Sequence, residues 1–228
     1  GELAAVQLRA NDNKDRWIAT VNPAAGKLDS RHRLHDRTWI NWLFNDFGWL
    51  PDGQSLWYMS EESGYSHFYT LALNSKKPRA LTQGEFEVMD PAVSADGRYA
   101  YVLSNREHPS AYDIYRLDIQ SGELSALTQM RGVEDFSLSP RQDQLLIRWS
   151  ASYTPAQLSV LDLNQSAAGP RQITDTRCDE YRALSWQQPQ IIGVPSSHGV
   201  GPIWSKFYPP QGQFQGPRPI VLFVHGAG

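Results

Sequence analysis

The sequence predicts an all-β chain made mainly of part of a β-propeller, with about three full four-stranded blades and a piece of another. Two observations predict it: a 46-residue repeat, and a tight turn that recurs between short apolar runs. Leu81-Thr82, Leu127-Thr128 and Ile173-Thr174 are one element in three copies, with threonines 46 and 46 residues apart. Leu71, Leu117 and Leu163 keep the same 46-residue spacing inside the runs Tyr69–Leu73, Tyr115–Ile119 and Leu161–Leu163. Upstream, each unit carries a run closed by a serine: Trp57–Ser60, Tyr101–Ser104 and Ile147–Ser150. Before those runs come Leu50-Pro51-Asp52-Gly53, Ser94-Ala95-Asp96-Gly97 and Ser139-Pro140-Arg141-Gln142-Asp143. Asp-Gly between apolar runs signals a hairpin, because glycine accepts the positive φ of the turn. The third copy lacks the glycine.

Each unit therefore reads strand, turn, strand, polar loop, strand, turn, strand. Four short strands every 40 to 50 residues is a propeller blade, and a blade buries its faces only against neighbouring blades. Amphipathic helices are excluded, since the apolar residues alternate with period two and glycine or proline interrupts them often. The blades are expected over 46–90, 91–134 and 135–180, after the end of an earlier blade within 1–40, where Val6, Leu8 and Trp17–Val21 are apolar. Closed propellers have four to eight blades. Further blades are therefore expected upstream, and the start at Gly1 without methionine reads as that of a fragment.

The pattern changes after Trp186, which sets expected domains at 1–186 and 187–228. Ile191–Val194 and Ile203–Tyr208 read as strands, followed by the proline-rich segments Pro209–Gly212 and Gly216–Pro219. Ile220–Val224 is an unbroken apolar run, as in a strand buried on both faces of a parallel sheet. Exposed alone, such a strand is an aggregation hazard, so it is expected to pack on the propeller or pair with another chain. It runs into His225-Gly226-Ala227-Gly228. An apolar strand leading to His-Gly-small-Gly is where α/β-hydrolases build part of an oxyanion hole, with backbone N–H groups brought close by glycines. The tail thus reads as the first strands of a truncated α/β-hydrolase domain.

Composition narrows the remaining classes. The 228 residues are 40% hydrophobic and 20% charged, with a net charge of −3 and no basic stripe, which argues against nucleic acid as a partner. No run approaches the length of a membrane span. The single cysteine, Cys178, and six histidines without ligand spacing imply neither a disulfide nor a metal site, and no cofactor is implied. Glu61 and Glu62 could together grip an amine, and Glu85 and Glu87 could share a strand face, but the turn and strand patterns around them favour structural roles.

The chain resembles the prolyl oligopeptidase family of serine peptidases, most closely its dipeptidyl peptidase IV-like branch. The resemblance is carried by Trp39-Ile40-Asn41-Trp42, Asp46–Gly53, Ser60–Tyr69 and Leu81–Val88, and by the order of propeller, proline-rich strand pair and His225–Gly228. It implies a peptidase whose propeller gates and helps to bind short peptides, and it leaves a homodimeric parent open. It also implies a periplasmic or secreted location ahead of a cytoplasmic one. Trp39, Trp42 and Phe44 would stand near the propeller face that meets the substrate pocket. No Gly-x-Ser-x-Gly elbow occurs, so the Ser/Asp/His triad is expected beyond Gly228 and the 228 residues are expected to be inactive. The alternative is a stand-alone propeller that binds proteins; the tail after residue 186 argues against it.

Overall fold

The computed structural model describes residues 3–199, 201–210, 212 and 215–224. The chain divides into two compact units, Gly1–Trp186 and Gln187–Gly228. The first holds one three-stranded and three four-stranded antiparallel sheets, each built from strands consecutive in sequence. β1 (Ala4–Arg9), β2 (Asp15–Asn22) and β3 (Lys27–His35) form the first sheet, the piece of an additional blade. The second comprises β4 (Phe47–Trp49), β5 (Ser55–Ser60), β6 (His67–Ala72) and β7 (Arg79–Ala80). The third contains β8 (Val88–Val93), β9 (Tyr99–His108), β10 (Ala111–Asp118) and β11 (Leu124–Ala126). The fourth contains β12 (Val133–Leu138), β13 (Gln144–Ala151), β14 (Thr154–Asp162) and β15 (Arg171–Gln172). The third and fourth blades begin at Val88 and Val133, slightly ahead of their expected starts at 91 and 135.

Period-two alternation sends neighbouring residues of one strand into different cores. Tyr101 and Leu103 of β9 pack toward the fourth sheet with Ile114, Leu145, Ile147 and Leu161. Ala100 and Val102, the residues between and before them, pack toward the second sheet with Met59, Phe68, Tyr115 and Leu117. A third core joins the first two sheets through Ile18, Leu56, Tyr58, Tyr69 and Leu71, with the two tyrosine rings stacked 5.3 Å apart.

The threonine repeat closes every four-stranded blade in the same way. Thr82 Oγ accepts the Phe68 N–H at 3.0 Å, Thr128 Oγ that of Ile114 at 2.9 Å, and Thr174 Oγ that of Leu158 at 2.8 Å. The residue before each threonine donates its N–H to the carbonyl of that same partner, in each case at 2.8 Å. The hydroxyl also meets the side chain one position upstream: His67 at 3.0 Å, Asp113 at 2.7 Å and Gln157 at 3.0 Å. These three unlike residues share one seat, and each reaches the loop leading away from its blade. His67 Nε2 is 3.1 Å from the Gly84 carbonyl, so the ring donates there and leaves Nδ1 to accept from Thr82. Burial holds the His67 imidazole below its ordinary pKa, consistent with that neutral form.

The turns repeat as faithfully. Gly53 and Gly97 have φ of +62° and +69°, and in the third copy Gln142 takes the seat at +61° without the benefit of glycine. Its side chain accepts the Ala95 N–H of the preceding turn at 2.7 Å. The corresponding residue one blade earlier is Pro51, which has no N–H to satisfy, and there the facing Gly97 lies against the proline ring. The serine series is less regular. Ser60 and Ser104 pair opposite His67 and Asp113, but Trp149, not Ser150, pairs opposite Gln157, because Ser150 stands eight residues past the turn seat at Gln142 where Ser60 and Ser104 stand seven past Gly53 and Gly97.

The second unit contains the antiparallel hairpin β16 (Gln190–Pro195) and β17 (Pro202–Phe207). Ile220–Val224, expected as a buried strand, forms none, and its five residues are 77–94% exposed. A parallel-type strand depends on flanking strands and helices; the described part of this unit offers only a two-stranded hairpin. No helix among the described residues is long and apolar enough to cross a membrane.

Candidate functional site

The loop between β3 and β4 carries the aromatic residues singled out in the sequence, and short polar side chains fix its path. Asp36 accepts the backbone N–H groups of Thr38 at 2.6 Å and Trp39 at 3.1 Å, which hold its carboxyl below the usual range. Asn13, in the β1–β2 turn with φ of +61°, brackets Ile40: its carbonyl accepts the Ile40 N–H at 2.9 Å and its amide donates to the Ile40 carbonyl at 3.1 Å. The Asn13 side-chain oxygen also accepts the Trp42 indole N–H. Asn41 caps the single 3-10 turn Trp42–Phe44 by accepting the Leu43 N–H at 3.1 Å.

This pinning leaves the aromatic residues unequal. Trp39 is 58% exposed, Trp42 is half-buried with the Arg9 guanidinium 4.7 Å over its ring, and Phe44 is buried. Leu43, which the sequence did not single out, is 72% exposed. The loop therefore presents Trp39, Leu43 and part of Trp42, while Ile40 and Phe44 anchor it. Apolar surface held on a tightly hydrogen-bonded loop is prepared for contact, because little entropy remains to be lost on binding. His225, Gly226, Ala227 and Gly228 lie outside the described residues.

Three of the four glutamates weighed in the sequence act as ties. Glu61 accepts the Asn41 N–H at 3.3 Å, and burial raises its carboxyl above the ordinary range. Glu62 reaches the first sheet, 2.7 Å from His32 Nε2. Glu87 accepts from the Tyr112 hydroxyl at 2.5 Å. Burial, and then that bond, push the Tyr112 hydroxyl pKa upward, and Phe86 packs edge-on against His67.

Sequence reasoning missed the residue that organises this region. Arg16 is fully buried, and its Nη1 donates to Asn45 Oδ1 at 2.6 Å and to the Met59 carbonyl at 2.7 Å. Asn45 in turn donates to the Asn41 carbonyl, so Arg16 reaches the aromatic loop through one intermediary. Burial lowers the Arg16 guanidinium to about 10, against the opposing pull of Tyr58, Glu62 and Glu61. A signal was present: Arg16, Ile18 and Thr20 share one face of β2, and an arginine on the apolar face of a strand is unusual.

A second missed pattern runs along the first strand of each blade. Asp46, Asp90 and Asp135 are 44 and 45 residues apart, the register of the turns. The Asp90 carboxyl lies above its ordinary pKa, first through burial and then through Asp46 and Asp135. Its backbone has φ of +50°, a region asparagine tolerates well. Asp90→Asn is expected to stabilise the chain by about 0.5 kcal/mol near pH 7, a rise in Tm of about 1–2 °C. A raised carboxyl favours the protonated native state, so the cost of ionisation, and with it the benefit of the amide, is present above the folded pKa. That benefit fades as pH falls through the raised folded pKa and is gone below the unfolded value of about 3.9. Thermal melts of both proteins across that range check this, and an equal gain at both ends would contradict it.

The N-terminal region of dipeptidyl peptidase IV, as a family model, matches residues 2–156. The chain belongs to that family. Among relatives of the family, the probable dipeptidyl-aminopeptidase B of Aspergillus niger is 27% identical over 136 residues, covering 50% of this chain and 15% of that protein. The probable dipeptidyl-aminopeptidase B of Aspergillus oryzae is 30% identical over 99 residues, 41% of this chain and 11% of its own length. The crystal structure of Porphyromonas gingivalis dipeptidyl peptidase 4 superposes with a TM-score of 0.72 at 19% identity, over 89% of this chain and 29% of that one. A putative dipeptidyl aminopeptidase IV from Bacteroides ovatus gives a TM-score of 0.71 at 14% identity, over 88% of this chain and 31% of that one. These two likenesses speak to the propeller fold. The dipeptidyl peptidase IV-type chain thus spans less than a third of the length of the relatives and structures it matches.

Proposed function

We propose that this chain is the propeller portion of a dipeptidyl peptidase IV-like serine peptidase of the prolyl oligopeptidase family, gating access for short peptides and helping to bind them. The family match over residues 2–156 carries the reading. The division after Trp186 supports a propeller domain over 1–186 and the start of an α/β-hydrolase domain over 187–228. In this reading, Trp39 and Trp42 form part of a pocket wall for an apolar substrate side chain, with Phe44 anchoring their loop. His225, Gly226, Ala227 and Gly228 contribute backbone donors to an oxyanion hole. The nucleophilic serine and its histidine and aspartate are supplied by a downstream segment, since these residues contain no Gly-x-Ser-x-Gly elbow.

One assay tests this. The 228 residues and the longer polypeptide that carries them are incubated with a chromogenic dipeptide amide. The longer protein is expected to release the chromophore, and the 228 residues are expected to match a heat-killed control. Trp39→Ala in the longer protein is expected to raise KM roughly three- to tenfold with little change in kcat, the loss of about 1 kcal/mol of aromatic contact. Turnover by the short chain would overturn its expected inactivity, and none by the long one would overturn the peptidase reading. An unchanged KM would remove only the pocket wall.

A further inference from the structure

Arg16 uses one nitrogen of its guanidinium and leaves the opposite edge idle. Nη1 makes both hydrogen bonds to the second sheet, while Nε and Nη2, the pair that forms the side-on fork, find no acceptor among the described residues. Among the described residues, four other buried polar atoms between the first and second sheets are unmatched: Arg31 Nε, and nearer Arg16 the atoms Tyr58 Oη, His32 Nδ1 and Gln7 Oε1. The strand register places the latter three together. Gln7 and His32 flank Ile18 across β1, β2 and β3 and therefore share its face, and Arg16 lies two residues before Ile18 on that face. Tyr58 faces them from the second sheet, its ring 4.5 Å from His32 and 5.7 Å from the Arg16 guanidinium carbon.

We propose that this seam is a built hydration site, in which ordered water bound to the Arg16 fork is shared with Tyr58, His32 and Gln7. The donor and acceptor inventory selects water over an anion. Arg16 Nε and Nη2 can only donate and Gln7 Oε1 can only accept, and in the neutral tautomer that donates Nε2–H to Glu62 the His32 Nδ1 is an acceptor. An oxyanion would satisfy the guanidinium and repel the two acceptors. Water donates and accepts, and Tyr58 Oη can do either. Counter-charge is already at hand, since Glu61 and Glu62 both act favourably on Arg16 although neither forms a direct ion pair with it among the described contacts. A neutral bridging ligand completes such an arrangement, whereas a dry buried guanidinium would bear a large desolvation penalty.

A high-resolution crystal structure of the chain tests the proposal. The expected result is at least one ordered water about 3 Å from Arg16 Nε or Nη2 that also contacts Tyr58 Oη, His32 Nδ1 or Gln7 Oε1. In Tyr58→Phe the water on Arg16 is expected to persist, and in Arg16→Met it is expected to be lost. Arg16 turned into a direct pair with Glu61 or Glu62, or a dry seam, would overturn the proposal. An inorganic phosphate titration, followed by thermal melting at constant ionic strength, provides a readout independent of crystals. A saturable rise in Tm in the wild type that disappears in Arg16→Met would replace water with an oxyanion; no saturable rise is expected.

Discussion

Asp113→Ala is expected to destabilise the chain by about 3–4 kcal/mol and to lower Tm by about 10 °C. The carboxylate is only 7% exposed and accepts three hydrogen bonds: Thr128 Oγ at 2.7 Å, Met130 N–H at 2.7 Å and Arg131 N–H at 3.1 Å. Removing it strands a buried hydroxyl and two backbone donors, each costing about 1–3 kcal/mol if nothing replaces the acceptor. The turn is also strained, with Arg131 at φ of +55°, and the carboxylate is what holds that N–H in place. Asp113→Asn separates charge from geometry. Its amide keeps one acceptor but turns an NH₂ group toward a backbone donor, so an intermediate loss of about 1–2 kcal/mol is expected. Urea denaturation of both variants checks the order, and an alanine variant within about 1 kcal/mol of wild type would refute it.

The Asp113 seat explains why the repeat was legible. Thr82, Thr128 and Thr174 recur because each hydroxyl closes the same strand pair, a task few side chains can do. Their partners His67, Asp113 and Gln157 were invisible as a series, because any acceptor that reaches both the hydroxyl and the outgoing loop will serve. The same distinction separates Gly53 and Gly97, read directly as turns, from Gln142, whose backbone adopts the turn while its side chain hides it. β3 was not read at all. Its sequence, Lys-Leu-Asp-Ser-Arg-His-Arg-Leu-His, is polar because most of the strand is exposed, and it is held by its register with β2. Trp149 takes the seat assigned to Ser150 because it, not the serine, stands seven residues past the turn seat at Gln142, a count hidden when that turn lacks its glycine.

Less of the candidate site was readable. The aromatic loop stood out by composition, but exposure divides Trp39 from Phe44 through contacts made by Asn13 and Asn41, common turn residues with no motif of their own. Arg16 acts across 29 residues to reach Asn45 and 43 to reach Met59, so its role exists only once the first two sheets meet. Acidic residues at 46, 90 and 135 are spaced as regularly as the turns, yet single carboxylates in polar contexts attract no notice until the blades bring them into one another's field.

Gly132→Ala is expected to cost about 3 kcal/mol or more, lowering Tm by about 10 °C. Its φ is not in the left-handed region, so the cause is space rather than backbone preference. A Cβ there would lie 2.1 Å from the Ser150 carbonyl oxygen and 3.3 Å from its carbonyl carbon. Both are backbone atoms, and no rotamer change can clear them. Gly132 also accepts the Ser150 N–H at 3.0 Å, immediately before the Val133–Trp149 pair that opens the β12–β13 ladder. Relief must therefore open the ladder from that end, pulling Val133, which is 5% exposed, out of the core between the third and fourth sheets. Gly26→Ala is the control: its φ is +59° and nothing lies within 4 Å of the added Cβ, so only the conformational cost of about 1 kcal/mol should appear. Thermal melts of the two variants, with hydrogen exchange across β12 and β13, separate the mechanisms. Gly132→Ala should lose protection along that ladder, and equal losses of Tm in the two variants would show that the contact with Ser150 is not what makes glycine necessary.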